Sequence, residues 1–155
     1  MPSPASSVRS SSTAGAAVHR FPRGLAATIS PGDGRGVSTT SDLGVHGERI
    51  AAAYLTDAGL RLLDRNWRCR EGELDIVARD GDALVFCEVK TRRGVGYGHP
   101  VEAVTRPKQR RLRTLAHRWL AAHDEHAPEL RFDVVGVLVR PDRPALVTHL
   151  RAAFL

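Results

Sequence analysis

Lysine is nearly missing from this chain. Among its 23 basic residues only Lys90 and Lys108 are lysines, so the positive charge is carried by arginine. A guanidinium is a planar fork that binds phosphate bidentately, which an ammonium does not do. Aromatic residues are also scarce, at 5% of 155 residues. There are only two cysteines, Cys69 and Cys87, and neither sits in a CxxC or other paired ligand spacing. That excludes a disulfide framework and a cysteine-based zinc site. No apolar run approaches the ~20 residues that a membrane helix requires, and no amphipathic helix carries aromatic anchors for a lipid surface. No membrane role is expected, and a reducing cytoplasm is the expected location.

What is present points elsewhere. The formal net charge is +6, which favours a polyanionic partner, nucleic acid before any other. Residues 1–40 are rich in Ser, Ala, Gly, Pro and Arg and show no helical or strand period. They read as a disordered extension. A single domain is expected over 41–155.

The unusual stretch is residues 71–93, EGELDIVARDGDALVFCEVKTRR. Gly81-Asp82 suits a two-residue type II′ turn, which splits it into a hairpin. Leu74, Ile76 and Ala78 alternate on one face of the first strand. Val85, Cys87 and Val89 continue that face on the second, which makes Cys87 a buried thiol. The charged residues Glu73, Asp75, Glu88 and Lys90 share the other face. The turn sets Asp75 opposite Glu88 and Glu73 opposite Lys90. Opposed Cβ atoms stand roughly 4.5–5.5 Å apart. Two carboxylates that close repel unless a proton or a cation lies between them.

Around the hairpin the periodicity predicts further elements. A helix runs from Ser41-Asp42 to Ala58, stops at Gly59, and carries Glu48 about one turn in. Residues 60–69 form a strand, with Trp67 a packing residue. A glycine-rich loop occupies Thr91–Pro100 and contains His99, followed by a short helical turn over 101–104. Thr105 caps a helix to about His123. Its polar faces carry Arg106, Lys108, Arg110, Arg111, Arg113 and Arg118, with no acid between Glu102 and Asp124. A solvated face is one reading; because solvated helices usually mix signs, a phosphate-facing helix weighs at least equally. Strands follow over 131–139 and 145–150, and Asp133 is a weaker additional acid. The order α-β-β-β-α-β-β indicates an α/β fold, a mixed sheet flanked by helices.

Asp75 with Glu88-Val89-Lys90 has the form D-x12-E-x-K. Two carboxylates and the Val89 carbonyl suit Mg²⁺, which accepts few protein ligands and keeps waters and substrate phosphate. Lys90 would offset negative charge developing on phosphorus. Glu48 would add a metal or water contact, and Arg92, Arg93, Lys108, Arg110 and Arg111 would hold phosphates. Glu73 reads as the ion-pair partner of Lys90. The bland alternative is a surface hairpin with that one ion pair, which leaves Asp75 opposite Glu88 unexplained.

The segments Gly44-Val45-His46-Gly47-Glu48, Ala53-Tyr54-Leu55, Arg65-Asn66-Trp67-Arg68, Gly72-Glu73-Leu74-Asp75-Ile76-Val77, Val85 to Arg92, and Arg131 to Val135 resemble the YraN-type family of small bacterial proteins. The resemblance spans roughly 43–155. That family is similar in fold to the restriction-endonuclease-like PD-(D/E)xK superfamily, which includes archaeal Holliday-junction resolvases. By that resemblance Glu48, Asp75, Glu88 and Lys90 occupy the four positions of the nuclease motif. It implies a Mg²⁺- or Mn²⁺-dependent endonuclease acting on DNA in preference to RNA, at branched or damaged sites, with a homodimer as one assembly suited to symmetric substrates. An inactive nucleic-acid-binding module and a protein-interaction module stay open as alternatives.

Overall fold

A reciprocal capping box opens the first helix. In the computed structural model, which describes residues 16–20, 39–94, 104–141 and 143–154, helix α1 spans Thr40–Asp57. The Asp42 N–H donates to the Thr39 hydroxyl at 3.1 Å, and the Thr39 N–H donates to the Asp42 carboxylate at 3.2 Å. Thr39 is therefore the cap, not Ser41 or Asp42, because it lies three residues before an acid that can return the bond. Gly59, at φ 93°, provides the left-handed stop, and the Leu60 N–H closes on the Leu55 carbonyl at 3.0 Å.

The strands are β1 (Ala16–Arg20), β2 (Arg61–Cys69), β3 (Gly72–Asp80), β4 (Ala83–Arg93), β5 (Glu129–Arg140) and β6 (Arg143–Phe154), with helix α2 (Arg106–Ala122) between β4 and β5. They form one sheet in the order β1-β6-β5-β4-β3-β2. Only β4 and β5 pair in parallel, across the α2 crossover; the other neighbours are antiparallel. The sheet is mixed, as the element order indicates.

Two differences stand out. Ala16–Arg20 pairs with β6 as an edge strand, inside the stretch read as lacking regular structure. Five residues are too few to show a period, and a long β6 edge supplies the partner. Strand β6 also continues past Leu150. Ala152 takes a φ of 48°, its N–H donates to Asp133 Oδ1 at 2.9 Å, and Phe154 stacks on Phe132 at 4.8 Å. Of the predicted glycine-rich loop, residues 95–100 with His99 lie outside the described residues, as do residues 101–103 of the predicted turn.

The helices cover opposite faces. Ile50, Ala51 and Leu55 of α1 pack on Ile76, Ala78, Val85, Cys87, Val135 and Val137. Leu112, Leu115, Ala116 and Trp119 of α2 pack on Val77, Leu84, Phe86 and Val134. Both helical stripes follow the three-and-four spacing that puts apolar side chains on one face. Consecutive strand residues such as Ile76 and Val77 therefore serve different cores. No helix among the described residues is long and apolar enough to cross a membrane.

Candidate functional site

Gly81 turns the hairpin at φ 58° while Asp82 keeps a negative φ, as a type II′ turn requires. Its ladder runs Asp80↔Ala83, Ala78↔Val85 and Ile76↔Cys87. Beyond Ile76 and Cys87 the two strands part. Strand β3 continues with β2 as far as Gly72, and β4 continues with β5 as far as Arg93. The parting makes a fork in the sheet, and Asp75 is the first β3 residue inside it. The Val89 N–H donates to Asp75 Oδ2 at 2.8 Å. A side-chain oxygen thus takes the place of the next ladder bond.

The fork has a local cause on the β2 side. Asn66 lies between the pairs Arg65↔Ile76 and Trp67↔Leu74, which sets it opposite Asp75. Its φ of 52° is in the left-handed region, which Asn tolerates better than most residues. Alternation breaks at this point. Leu74 packs with the α2 core and Ile76 with the α1 core, although strict alternation predicts one face for both.

Glu48 arrives from α1 through a close approach. The preceding Gly47 lies against Thr91 of β4, so that a Cβ on Gly47 would stand 1.8 Å from Thr91 Oγ1 and 2.6 Å from its Cβ. Only glycine lets the helix come this near. The contact seats α1 over the strand just past Lys90. Sequence reading did not single out Gly47; its signal is a glycine inside an otherwise helical pattern, where it costs stability without a packing reason.

The electrostatics of Asp75 show what converges. Its carboxyl is pushed up to about 7, first by burial and then by the Glu88 carboxylate. The Val89 hydrogen bond pulls it down, and Glu48 and Glu73 add smaller upward pushes. Glu88 and, more weakly, Glu48 therefore act on Asp75 from two other elements. Lys90 follows Glu88 by two residues on the same strand, and its ammonium makes no hydrogen bond or ion pair among the described residues.

The other predicted residues divide. Lys108 reaches from the first turn of α2 and ion-pairs with Glu88 Oε1. The guanidinium of Arg111 lies over Gly72, where a Cβ would stand 2.5 Å from it. Arg118 pairs with Glu71 at 2.8 Å, and Arg113 lies over the Phe154 ring at 5.4 Å. Arg106 and Arg110 stay exposed on α2, and Arg92 and Arg93 are exposed at the end of β4. The all-basic face of α2 is thus partly spent on internal contacts. Glu73 pairs with Arg68 at 3.1 Å rather than with Lys90. Past the fork β3 faces only β2, where Arg68 is the register partner of Glu73.

Asp133 belongs to a separate, structural group. It is 1% exposed. Arg131 holds both its oxygens at 2.9 and 3.0 Å, His149 Nε2 lies 2.9 Å from Oδ2, and the Ala152 N–H donates to Oδ1. Burial raises its pKa, but these bonds outweigh it and leave the carboxyl below its ordinary value. With its lone pairs so occupied it ties β5 to β6.

The oxygens beside the fork are of the chemical type a hard cation takes. They are the carboxylates of Asp75 and Glu88 and the Val89 carbonyl. A strand residue's N–H and C=O point to the same edge, so that carbonyl faces the fork as well. No group of three His, Cys, Asp or Glu among the described residues is placed to hold a metal ion. This is the sparse oxygen set that Mg²⁺ accepts while keeping waters, and it does not suit zinc.

Comparison with known proteins gives one consistent result. The profile of the uncharacterised protein family UPF0102 matches residues 47–137. A UPF0102 protein of Rhodococcus opacus is 54% identical over 112 residues, covering 72% of this chain and 95% of its own. One from Beutenbergia cavernae is 59% identical over 109 residues, covering 70% and 92%. One from Streptomyces coelicolor is 50% identical over 125 residues, covering 79% and 96%.

Proposed function

The chain belongs to the uncharacterised family UPF0102, and on that footing we propose that it is a divalent-metal-dependent endonuclease that hydrolyses DNA phosphodiesters, at branched or damaged sites. The observation that carries this reading is the fork. Asp75 and Glu88 lie within each other's field there, with Glu48 of α1 a weaker contributor, in a protein with a net charge of +6; burial first and Glu88 second push the Asp75 carboxyl up to about 7. Lys108 offsets Glu88 and a proton offsets Asp75 in part, and a divalent ion would offset both.

Asp75 and Glu88 would hold Mg²⁺ or Mn²⁺, with Glu48 beside them. Such an ion supplies Lewis acidity and lowers the pKa of a bound water. Lys90 offsets negative charge on a phosphate at the same strand end. Arg106 and Arg110 are exposed and available to neighbouring phosphates, which positions the backbone without reading sequence.

The test incubates the protein with branched, single-stranded and duplex DNA and with RNA, in Mg²⁺, Mn²⁺ or EDTA, beside Asp75→Ala and Lys90→Ala. Metal-dependent DNA cleavage lost in both variants is the expected result. Binding without cleavage on every substrate would leave a nucleic-acid-binding module, and no binding at low salt would leave a protein-interaction module.

A further inference from the structure

The chain's only two lysines are Lys90 and Lys108, and both stand at the fork. Elsewhere arginine carries the positive charge. An ammonium is a compact point charge, closer to a metal ion in size than a guanidinium fork. Lys108 places that charge on Glu88 Oε1, with side chains 39% and 14% exposed.

The position works against the helix that carries it. Lys108 lies in the first turn of α2, which contains no acidic residue, and Thr105 makes no side-chain capping bond there. A cation at a helix N-terminus opposes the helix dipole. Its anchor is therefore Glu88. A divalent ion held by Asp75 and Glu88 would repel the ammonium and compete for the same carboxylate. The partly exposed side chain has room to leave.

We propose that Lys108 is a displaceable counter-cation of the fork. It neutralises Glu88 when no divalent ion is bound, and it lowers the affinity of the site for that ion until it swings off to solvent or to a phosphate. This rests on the metal-site reading above.

The test titrates Mn²⁺ into the full chain and follows free Mn²⁺ by electron paramagnetic resonance, for wild type, Lys108→Gln, Lys108→Arg and Asp75→Asn. A charge-assisted bond removed from one competitor is expected to tighten Mn²⁺ binding about tenfold in Lys108→Gln. Lys108→Arg keeps the charge and is expected to stay near wild type, and Asp75→Asn to lose binding. A purely structural lysine would give no gain in affinity. Equal or weaker binding by Lys108→Gln, with Asp75→Asn still abolishing it, overturns the proposal and leaves the metal site standing. Absence of binding in both wild type and Lys108→Gln, or undiminished binding in Asp75→Asn, overturns the metal site and the proposal together.

Discussion

Replacing Asp75 by Asn is expected to make the folded protein more stable, by an amount that is absent below about pH 4, grows up to pH 7 and is full above it. The carboxyl titrates near 7 in the fold against an ordinary value of 3.8. The folded state thus keeps a proton that the unfolded chain has already released. Below about pH 4 both states are protonated and the penalty vanishes. It grows as pH rises from 4 to 7 and is complete above 7. About three pH units at 1.36 kcal/mol each give ~4 kcal/mol. Water on the exposed side of Asp75 screens this to about 2–3 kcal/mol. Asn removes the charge and keeps an oxygen for the Val89 N–H. For a domain of this size the gain corresponds to roughly 6–12 °C in Tm. Thermal unfolding of wild type and Asp75→Asn at pH 4.5 and pH 8 measures it. Saturating Mg²⁺ is expected to stabilise wild type at pH 8 and leave Asp75→Asn unmoved, because only a native-state site gains from mass action. A variant less stable than wild type at pH 8, or one equally stabilised at both pH values, would refute the account of crowded carboxylates.

Other residues give independent tests. Gly47→Ala forces a Cβ into Thr91 and is expected to cost about 1–3 kcal/mol in urea unfolding; adding Thr91→Ala should recover only part, since the Thr91 Cβ is itself 2.6 Å away. Asp133→Asn takes from Arg131 one of two carboxylate partners, Asp80 remaining at 2.9 Å, and is expected to cost about 1.5–3 kcal/mol at pH 7. Because the Asp133 pKa is lowered in the fold, its stabilisation is present above about pH 4 and is lost as pH falls through the folded value. Its loss should vanish with that stabilisation in strong acid. Arg110→Ala is expected to weaken binding to a duplex of any sequence alike and to reduce the slope of log affinity against log salt by about 0.9; an unchanged slope would take Arg110 off the phosphate path.

Much of this molecule is written in local pattern. Alternation around Gly81-Asp82 determines the hairpin and its register from Asp80 to Cys87. The three-and-four stripes determine both helices, and the helix between β4 and β5 gives the parallel pair its crossover. Periodicity works for these because a helix or strand shows its buried face in its own residues. The candidate acids were legible for the same reason, as charges on strand positions that are normally apolar. Where those charges end up was not legible. Pairing Glu73 with Lys90 assumed that the ladder continues, but β3 and β4 choose different neighbours past Cys87, so Glu73 meets Arg68. The break in alternation at Asp75, the docking of α1 through Gly47 and the reach of Lys108 to Glu88 also depend on partners distant in sequence. Sequence by itself determined which residues could carry charge into this sheet. Tertiary structure decided which charges meet, because strand partnership beyond the hairpin is set by packing across the whole sheet and not by the two strands that the turn joins.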